Sequence, residues 1–447
     1  MAACLQVLID QRPLSPLQWR LWALAAAGKF LEGMIVFTGG LSLPLLVERF
    51  ALAPWQAGLV ASAGLVGILV GALLGGALAD AWGRRPLFIG EMVLLALALL
   101  MAAGSQGFVW LLLALGLAGL ALGVDYPTAH LMIAESIPAA PRGRLVLGAF
   151  AFQAVGVVLG TALAAMVLAH APAATAWRWL DLLPVPAVLL VACGRWTVPE
   201  SSHWLLCRGR RQEAEQQLAR LLEQPDLALP VAAPQAPASA APWRQLFGPA
   251  LLRATALAAV PWFLQDLATY GVGLFTPLVL APAVLGVAGA ARQTLWIDLG
   301  LLAGIGAAVA LVDRWGRIPL QIAGFLGCAA GLLLAGLAHG AGARPAHSAL
   351  VVAGLLLFQV MTNLGPNAQT YLLAGEVFPT AVRGSGAGLA AAAGKLGAAA
   401  TALAAPLLLL HGKARLLLCA LALSSLLGAL VTWACRIETN GRALDGL

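Results

Sequence analysis

Charge is what this sequence lacks most. Of its 447 residues 10% are Asp, Glu, Lys or Arg, against roughly 25% in a soluble globular domain. With 61% hydrophobic residues and a mean hydropathy of +0.90, water is excluded as the solvent for most of the chain. Cysteine is sparse too: six residues, at 4, 193, 207, 328, 419 and 435, with no Cys-x-x-Cys pair. A disulfide framework and a thiolate metal site are therefore not expected. A nucleophile elbow, a Gly-rich phosphate loop and a clustered set of metal ligands are missing as well, which argues against an enzyme and against any metal or cofactor. The first twenty residues hold an acid, prolines and polar side chains and do not read as a secretory signal peptide.

What is present is a series of apolar runs of about twenty residues, long enough to cross ~30 Å of hydrocarbon as helices. Twelve spans are expected, near 21–47, 57–80, 86–103, 108–133, 145–169 and 178–198, then 252–280, 293–313, 319–338, 348–373, 385–411 and 415–435. An even number puts both termini on one side. That side carries eighteen Arg or Lys residues, among them Arg84, Arg85, Arg142 and seven arginines from Arg195 to Arg253; the other side carries six. The positive-inside rule makes the termini cytoplasmic. The net charge of +7 is thereby a topology signal, and no nucleic-acid surface is expected. The Ala/Leu/Arg-rich, Lys-poor composition points to a bacterial inner membrane.

The spans divide as residues 1–198, a hydrophilic segment at 199–250, and residues 251–447. The middle segment holds a short amphipathic helix (211–222) and a Pro/Ala-rich linker, "PVAAPQAPASAAPW". Two phrases recur across this division. Asp-x-Trp-Gly-Arg-x-Pro-Leu starts at Asp80 and again at Asp313, 233 residues later. Glu-x-x-Pro-x-x-x-Arg-Gly starts at Glu135, with Arg142, and again at Glu376, with Arg383, 241 residues later. Two phrases in the same order at nearly one offset indicate a duplicated six-helix unit.

"GGALADAWGRRPL" resembles the loop 2–3 signature of the major facilitator superfamily, and "PESSHWLL" (199–206) resembles the sugar-porter phrase after helix 6. The resemblance implies an all-α membrane protein, twelve transmembrane helices in two pseudo-symmetric six-helix bundles rocking about a central site. It implies a gating role for Asp80, Gly83, Arg84, Arg85, Glu135 and Arg142, and for Asp313, Gly316, Arg317, Glu376 and Arg383. Function as a monomer is expected.

Substrate chemistry should reside in polar residues inside the spans, where a charge costs at least ~2.5–3.5 kcal/mol. These are few: Lys29 and Glu32; Asp125 and Tyr126; Gln153; Trp262, Asp266 and Tyr270; Asn363 and Asn367; Lys395. Trp262, Asp266 and Tyr270 recur at i, i+4, i+8 and share one helical stripe. Lys29 and Glu32 could equally be a local i, i+3 salt bridge. "GVDYPTAHLMIAE", "PWFLQDLATYGVGLF" and "GPNAQTYLLAGEVFPTAVRGSGAGLAAAAGKLGA" resemble the phosphate:proton symporters and related metabolite transporters. That resemblance implies Tyr126, Gln153, Trp262, Asp266, Tyr270, Asn367 and Lys395 as substrate ligands, and Glu32, Asp125 and Asp266 as the proton path. The expectation is a proton-coupled symporter of a small, anionic solute, with inorganic phosphate foremost and an organic acid, sugar or polyol as alternatives. A non-transporting membrane nutrient sensor is the alternative from another class.

Overall fold

The computed structural model describes residues 8–10, 12–224, 243–280, 286–339, 345–378 and 383–438. Its first half contains α1 (Pro16–Phe50), α2 (Pro54–Trp82), α3 (Arg84–Ala103), α4 (Phe108–Ser136), α5 (Ala139–His170), α6 (Ala173–Leu182) and α7 (Val185–Arg195). Two short helices follow, α8 (Ser202–Cys207) and α9 (Arg211–Leu221). The second half contains α10 (Leu252–Gly273), α11 (Thr276–Leu280), α12 (Gly286–Trp315), α13 (Arg317–His339), α14 (Pro345–Leu364), α15 (Pro366–Glu376), α16 (Arg383–Leu409) and α17 (Ala414–Cys435).

The twelve expected spans are present, and three are broken. The sixth is α6 plus α7, interrupted at Leu183-Pro184; the seventh is α10 plus α11; the tenth is α14 plus α15, interrupted at Gly365. Eleven helical segments among the described residues are long and apolar enough to cross a membrane. The one that falls short is α10, the helix that carries Trp262, Gln265, Asp266 and Tyr270. Its polarity is the mark of a helix that lines a site.

Local chemistry sets the helix ends. The Ser15 hydroxyl accepts from the Gln18 N–H at 3.1 Å while the Gln18 side chain accepts from the Ser15 N–H at 2.7 Å, a capping box at the start of α1. Gly83 (φ +104°) and Gly316 (φ +85°) make the one-residue turns between α2 and α3 and between α12 and α13. A side chain is strained at these angles, so both copies of the repeated phrase keep glycine there.

Inside the first half α2 and α3 pack on α4 and α1 packs on α5; inside the second, α10 packs on α16 and α13 on α14 and α17. The halves meet along two helix pairs, α2 with α16 and α5 with α12. They are closed against each other toward the face opposite the termini. There a Cβ added to Gly40 would lie 2.0 Å from the Leu274 carbonyl oxygen, and one added to Gly58 would lie 2.4 Å from that of Leu403.

On the face bearing the termini, α9 forms over Arg211–Leu221. Its apolar stripe packs Ala214 and Leu218 with Ile9, Trp204 and Leu205. Ser15 donates to the Leu221 carbonyl at 2.6 Å and ties this unit to α1. Most of the Pro/Ala-rich stretch lies outside the described residues.

Candidate functional site

Two buried ion pairs face each other across the middle of the molecule. In the first half, Lys29 Nζ lies 3.1 Å from Glu32 Oε2 and 3.4 Å from Asp125 Oδ2. Glu32 Oε1 accepts from the Tyr126 hydroxyl and from Gln153 Nε2, the latter at 2.9 Å. In the second half, Lys395 Nζ donates to Asp266 Oδ2 at 3.2 Å and to the Tyr270 hydroxyl at 2.9 Å. Lys29 Nζ sits 3.5 Å from the centroid of the Tyr126 ring and Lys395 Nζ 5.5 Å from the same centroid. One tyrosine ring is thus shared by lysines from both halves.

Helix geometry explains why the second pair forms. The i, i+4, i+8 spacing of Trp262, Asp266 and Tyr270 puts all three on one side of α10. Gly394 lets α16 approach: a Cβ there would meet the Trp262 indole nitrogen at 2.7 Å and Asp266 Oδ2 at 3.1 Å. The next residue, Lys395, then reaches the carboxylate. Asn367 stands beside the cluster, donating to Asn363 at 2.8 Å and accepting from Gln265 at 3.4 Å. Gln265 also donates to Thr269 at 2.9 Å, while its Oε1 is buried without a hydrogen bond.

Three participants were not anticipated from the sequence. Tyr371 packs edge-on to Trp262 with centroids 6.2 Å apart, so the chain's only three tyrosines all belong to this region. Glu91 and Arg195 extend the first-half cluster. Arg195 Nη1 binds Glu91 and the Phe88 carbonyl (2.7 Å), and Nη2 binds Asp125 at 2.8 Å. Thr128 donates to the other Glu91 oxygen at 2.9 Å. Arg195 is fully buried, so it leaves the tally of loop charges in which the sequence places it. The result is a ladder of alternating sign, Glu91, Arg195, Asp125, Lys29, Glu32, which ends at Tyr126. Each charge in it answers a neighbour, as buried charges must.

The repeated phrases sit at the terminus face, away from this cluster. Arg84 pairs with Glu135 at 3.2 Å, and Arg85 donates to the Trp196 carbonyl at 2.8 Å. Arg317 pairs with Glu376 at 3.3 Å. Each of these contacts joins elements of a single half. The side chains of Asp80, Arg142, Asp313 and Arg383 lie outside the described residues. A third repeated element emerges beside them. Glu200 accepts from the Arg84 and Arg85 N–H groups at 3.0 and 3.2 Å, at the start of α3. Glu438 does the same for the Arg317 and Ile318 N–H groups, both at 3.1 Å, at the start of α13.

A cavity of about 90 Å³ lies apart from the cluster, lined by Gly39, Ser42, Leu115 and Asp181 of the first half and by Leu274 and Phe275 between α10 and α11 of the second. Its wall is mostly apolar, with Ser42 and Asp181 as its polar side chains, and offers a polar solute few partners. The chemistry is concentrated at the ion pairs.

The sequence pattern of the family described as "Sugar (and other) transporter" matches residues 37–447. The niacin transporter NiaP of Acinetobacter baylyi is 29% identical, over 90% of this chain and 89% of the relative. The 3-(3-hydroxy-phenyl)propionate transporter of Escherichia coli is 30% identical, over 82% of this chain and 81% of the relative. Among solved structures, the xylose transporter XylE from E. coli in a partially occluded inward-open conformation superposes with a TM-score of 0.75 at 22% identity, over 96% of this chain and 100% of that one. XylE is described as a proton:xylose symporter. Twelve spans in two related halves, a charged cluster between them and these likenesses converge: the chain is a multi-pass membrane transporter, a member of the sugar (and other) transporter family within the major facilitator superfamily.

Proposed function

We propose that the protein is a proton-coupled symporter of a small aromatic carboxylate. The observation that carries this is the composition of the central cluster. All three tyrosines of the chain and two of its three lysines meet there, beside Trp262. Flat aromatic walls suit a ring, and an ammonium group suits its carboxylate. Phosphate has no use for the rings, and the niacin and hydroxyphenylpropionate relatives favour the organic acid among the alternatives raised by the sequence.

Coupling follows from charge. Lys395 is held by Asp266, so a substrate carboxylate that takes Lys395 would leave two carboxylates facing one ammonium. A proton on Asp266 removes that repulsion. Anion and proton then enter together and leave together. Glu32, with Tyr126 and Gln153 on one oxygen and Lys29 on the other, is the corresponding acceptor in the first half, and Asp125 links it to Arg195. Tyr126, Gln153, Trp262, Tyr270 and Asn367 supply neutral contacts to the solute.

Residues 1–198 and 251–447 are the two moving bodies, with 199–250 joining them at the cytoplasmic face of a bacterial inner membrane. With the far side packed shut, the described state faces the cytoplasm. Arg84 with Glu135 and Arg317 with Glu376 brace each half for its movement as a unit. The site is complete within one chain, which accordingly acts as a monomer.

The test uses purified protein in liposomes with an imposed pH gradient and labelled benzoate, nicotinate, phosphate and xylose. Benzoate or nicotinate should accumulate against its gradient, and Asp266→Asn should keep exchange while losing accumulation. Accumulation of phosphate alone would return the reading to a phosphate carrier. Undiminished uphill uptake by Asp266→Asn would remove that residue from coupling.

A further inference from the structure

One buried acid takes no part in the central cluster. Asp298 lies in α12, 5% exposed, and accepts from the Thr161 hydroxyl of α5 at 2.7 Å. The two residues belong to different halves of the transporter. Their neighbours are apolar: Ala154 and Val157 of α5 pack with Leu301 of α12, and Phe37 and Ile305 flank them. On α12, Asp298, Leu301 and Ile305 follow at i, i+3, i+7, one stripe facing α5. On α5, Ala154, Val157 and Thr161 do the same. The carboxyl therefore sits in the seam that must part when the transporter opens to the far side.

The duplication shows that this seam does not need an acid in order to pack. By the 233-residue offset of the α2/α12 phrases, Asp298 corresponds to Leu65; by the 241-residue offset of the later phrases, Thr161 corresponds to Ala402. Both counterparts are buried, and α2 and α16 form the other seam between the halves. At these two aligned positions, one seam thus carries an acid and its hydroxyl where the other carries leucine and alanine.

Other ionisable groups on the surrounding helices are accounted for. Among their described side chains, α5 carries His170 at its far end; α1 carries Arg20, Lys29, Glu32, Glu48 and Arg49; α6, which packs on α5, carries Arg178 and Asp181; α13 carries Arg317 and His339; α12 itself carries Arg292 and Arg314. α11 has none, and α14 has none among its described side chains. Among the described residues, none of these pairs with Asp298, whose recorded partner is Thr161 alone.

We propose that Asp298 is a second proton-carrying carboxyl, a latch that lets the far-side seam close when it holds a proton and drives the seam open when it is ionised. A carboxylate anion with one hydroxyl partner among aliphatic chains is costly at this depth, and water entering an open seam relieves that cost. The far side then opens with Asp298 ionised, takes up a proton from that side, and closes. This rests on the proton-coupled reading above and adds a site where the proton governs the closing movement itself.

The experiment needs no substrate. A Val157→Cys reporter is placed in the seam of the full chain, with the six natural cysteines changed to Ala. The protein is reconstituted in liposomes and labelled with a water-soluble maleimide between about pH 5.5 and 8.5. Rates are normalised to the same thiol in SDS-unfolded protein, which removes the thiol's own titration. With Asp298 present, labelling should rise roughly tenfold across this range, as expected for opening linked to loss of one proton. Asp298→Asn should give low, flat labelling, and Asp298→Glu should restore the rise. Thr161→Val, which strips the anion of its donor in the closed seam, raises the pH at which Asp298 ionises there and should move the rise to higher pH. A rise in Asp298→Asn matching that of the parent, a flat parent, or an unmoved Thr161→Val curve would each overturn the proposal. Because labelling is independent of transport, such a failure leaves the Asp266 test standing, and failure of that test leaves the labelling result intact.

Discussion

Arg195 answers two carboxylates at once, and the alternatives to it are all worse. Its guanidinium binds Glu91 on one side and Asp125 on the other and lies 3.6 Å from the centroid of the Phe88 ring. Only a planar, forked cation serves three such partners together. Arg195→Met leaves Glu91 without a cation, and losing one partner of a buried pair costs about 3–5 kcal/mol. Thermal unfolding in detergent should show a large loss of stability for Arg195→Met and a substantial recovery in Arg195→Met/Glu91→Gln, where the stranded carboxylate is gone. Equal melting of the single and double variants would show that the arginine matters by packing alone. This cluster also marks the limit of what the sequence discloses at single positions. Lys29, Glu32, Asp125, Asp266 and Lys395 stand out because charge inside a span is conspicuous. Arg195 hides at a helix end among loop arginines, Glu91 follows a charged turn, and Tyr371 resembles any aromatic in an apolar run. Their roles depend on partners far off in the chain, which spacing alone does not reveal.

Helices obey more local rules, and more of them were legible. Apolar length located the twelve spans to within a few residues, and the paired phrases located the duplication. The breaks at Leu183-Pro184, after Gly273 and at Gly365 were not legible, since a broken span keeps its mean hydropathy. The third repeated element was half visible. Glu200 lies in a phrase that stands out, whereas Glu438 lies in the short sequence Ile-Glu-Thr-Asn. Both place a carboxylate on the free N–H groups of a helix start, where the helix dipole favours negative charge. Glu200→Gln and Glu438→Gln should each cost about 0.5–2 kcal/mol by loss of the charged cap. Hydrogen exchange would localise the effect: amides of Arg84 and Arg85 should exchange faster in the first variant, and those of Arg317 and Ile318 in the second. Unchanged protection at these four amides would show that the caps do not hold the helix starts.

At the scale of the whole molecule, transport requires the halves to separate and rejoin on each side, so the closest approach between them sets what can occupy the seam. Gly40 of α1 is such a point. A Cβ there would lie 2.0 Å from the Leu274 carbonyl oxygen and 2.7 Å from its carbon, backbone atoms at the junction of α10 and α11. Backbone cannot swing aside as a side chain can, so Gly40→Ala holds the far side apart. Its contacts within the first half are untouched, and the protein should fold and melt near the parent temperature. Accumulation of the labelled carboxylate should fall about tenfold or more, the equivalent of at least ~1.4 kcal/mol against the closed state. The seam reporter at position 157 should meanwhile label readily at every pH, because a latch cannot close what a methyl group props open. Parent-like accumulation by Gly40→Ala would mean that closure at this point is not part of the transport cycle, and that the far-side packing belongs to a resting state only.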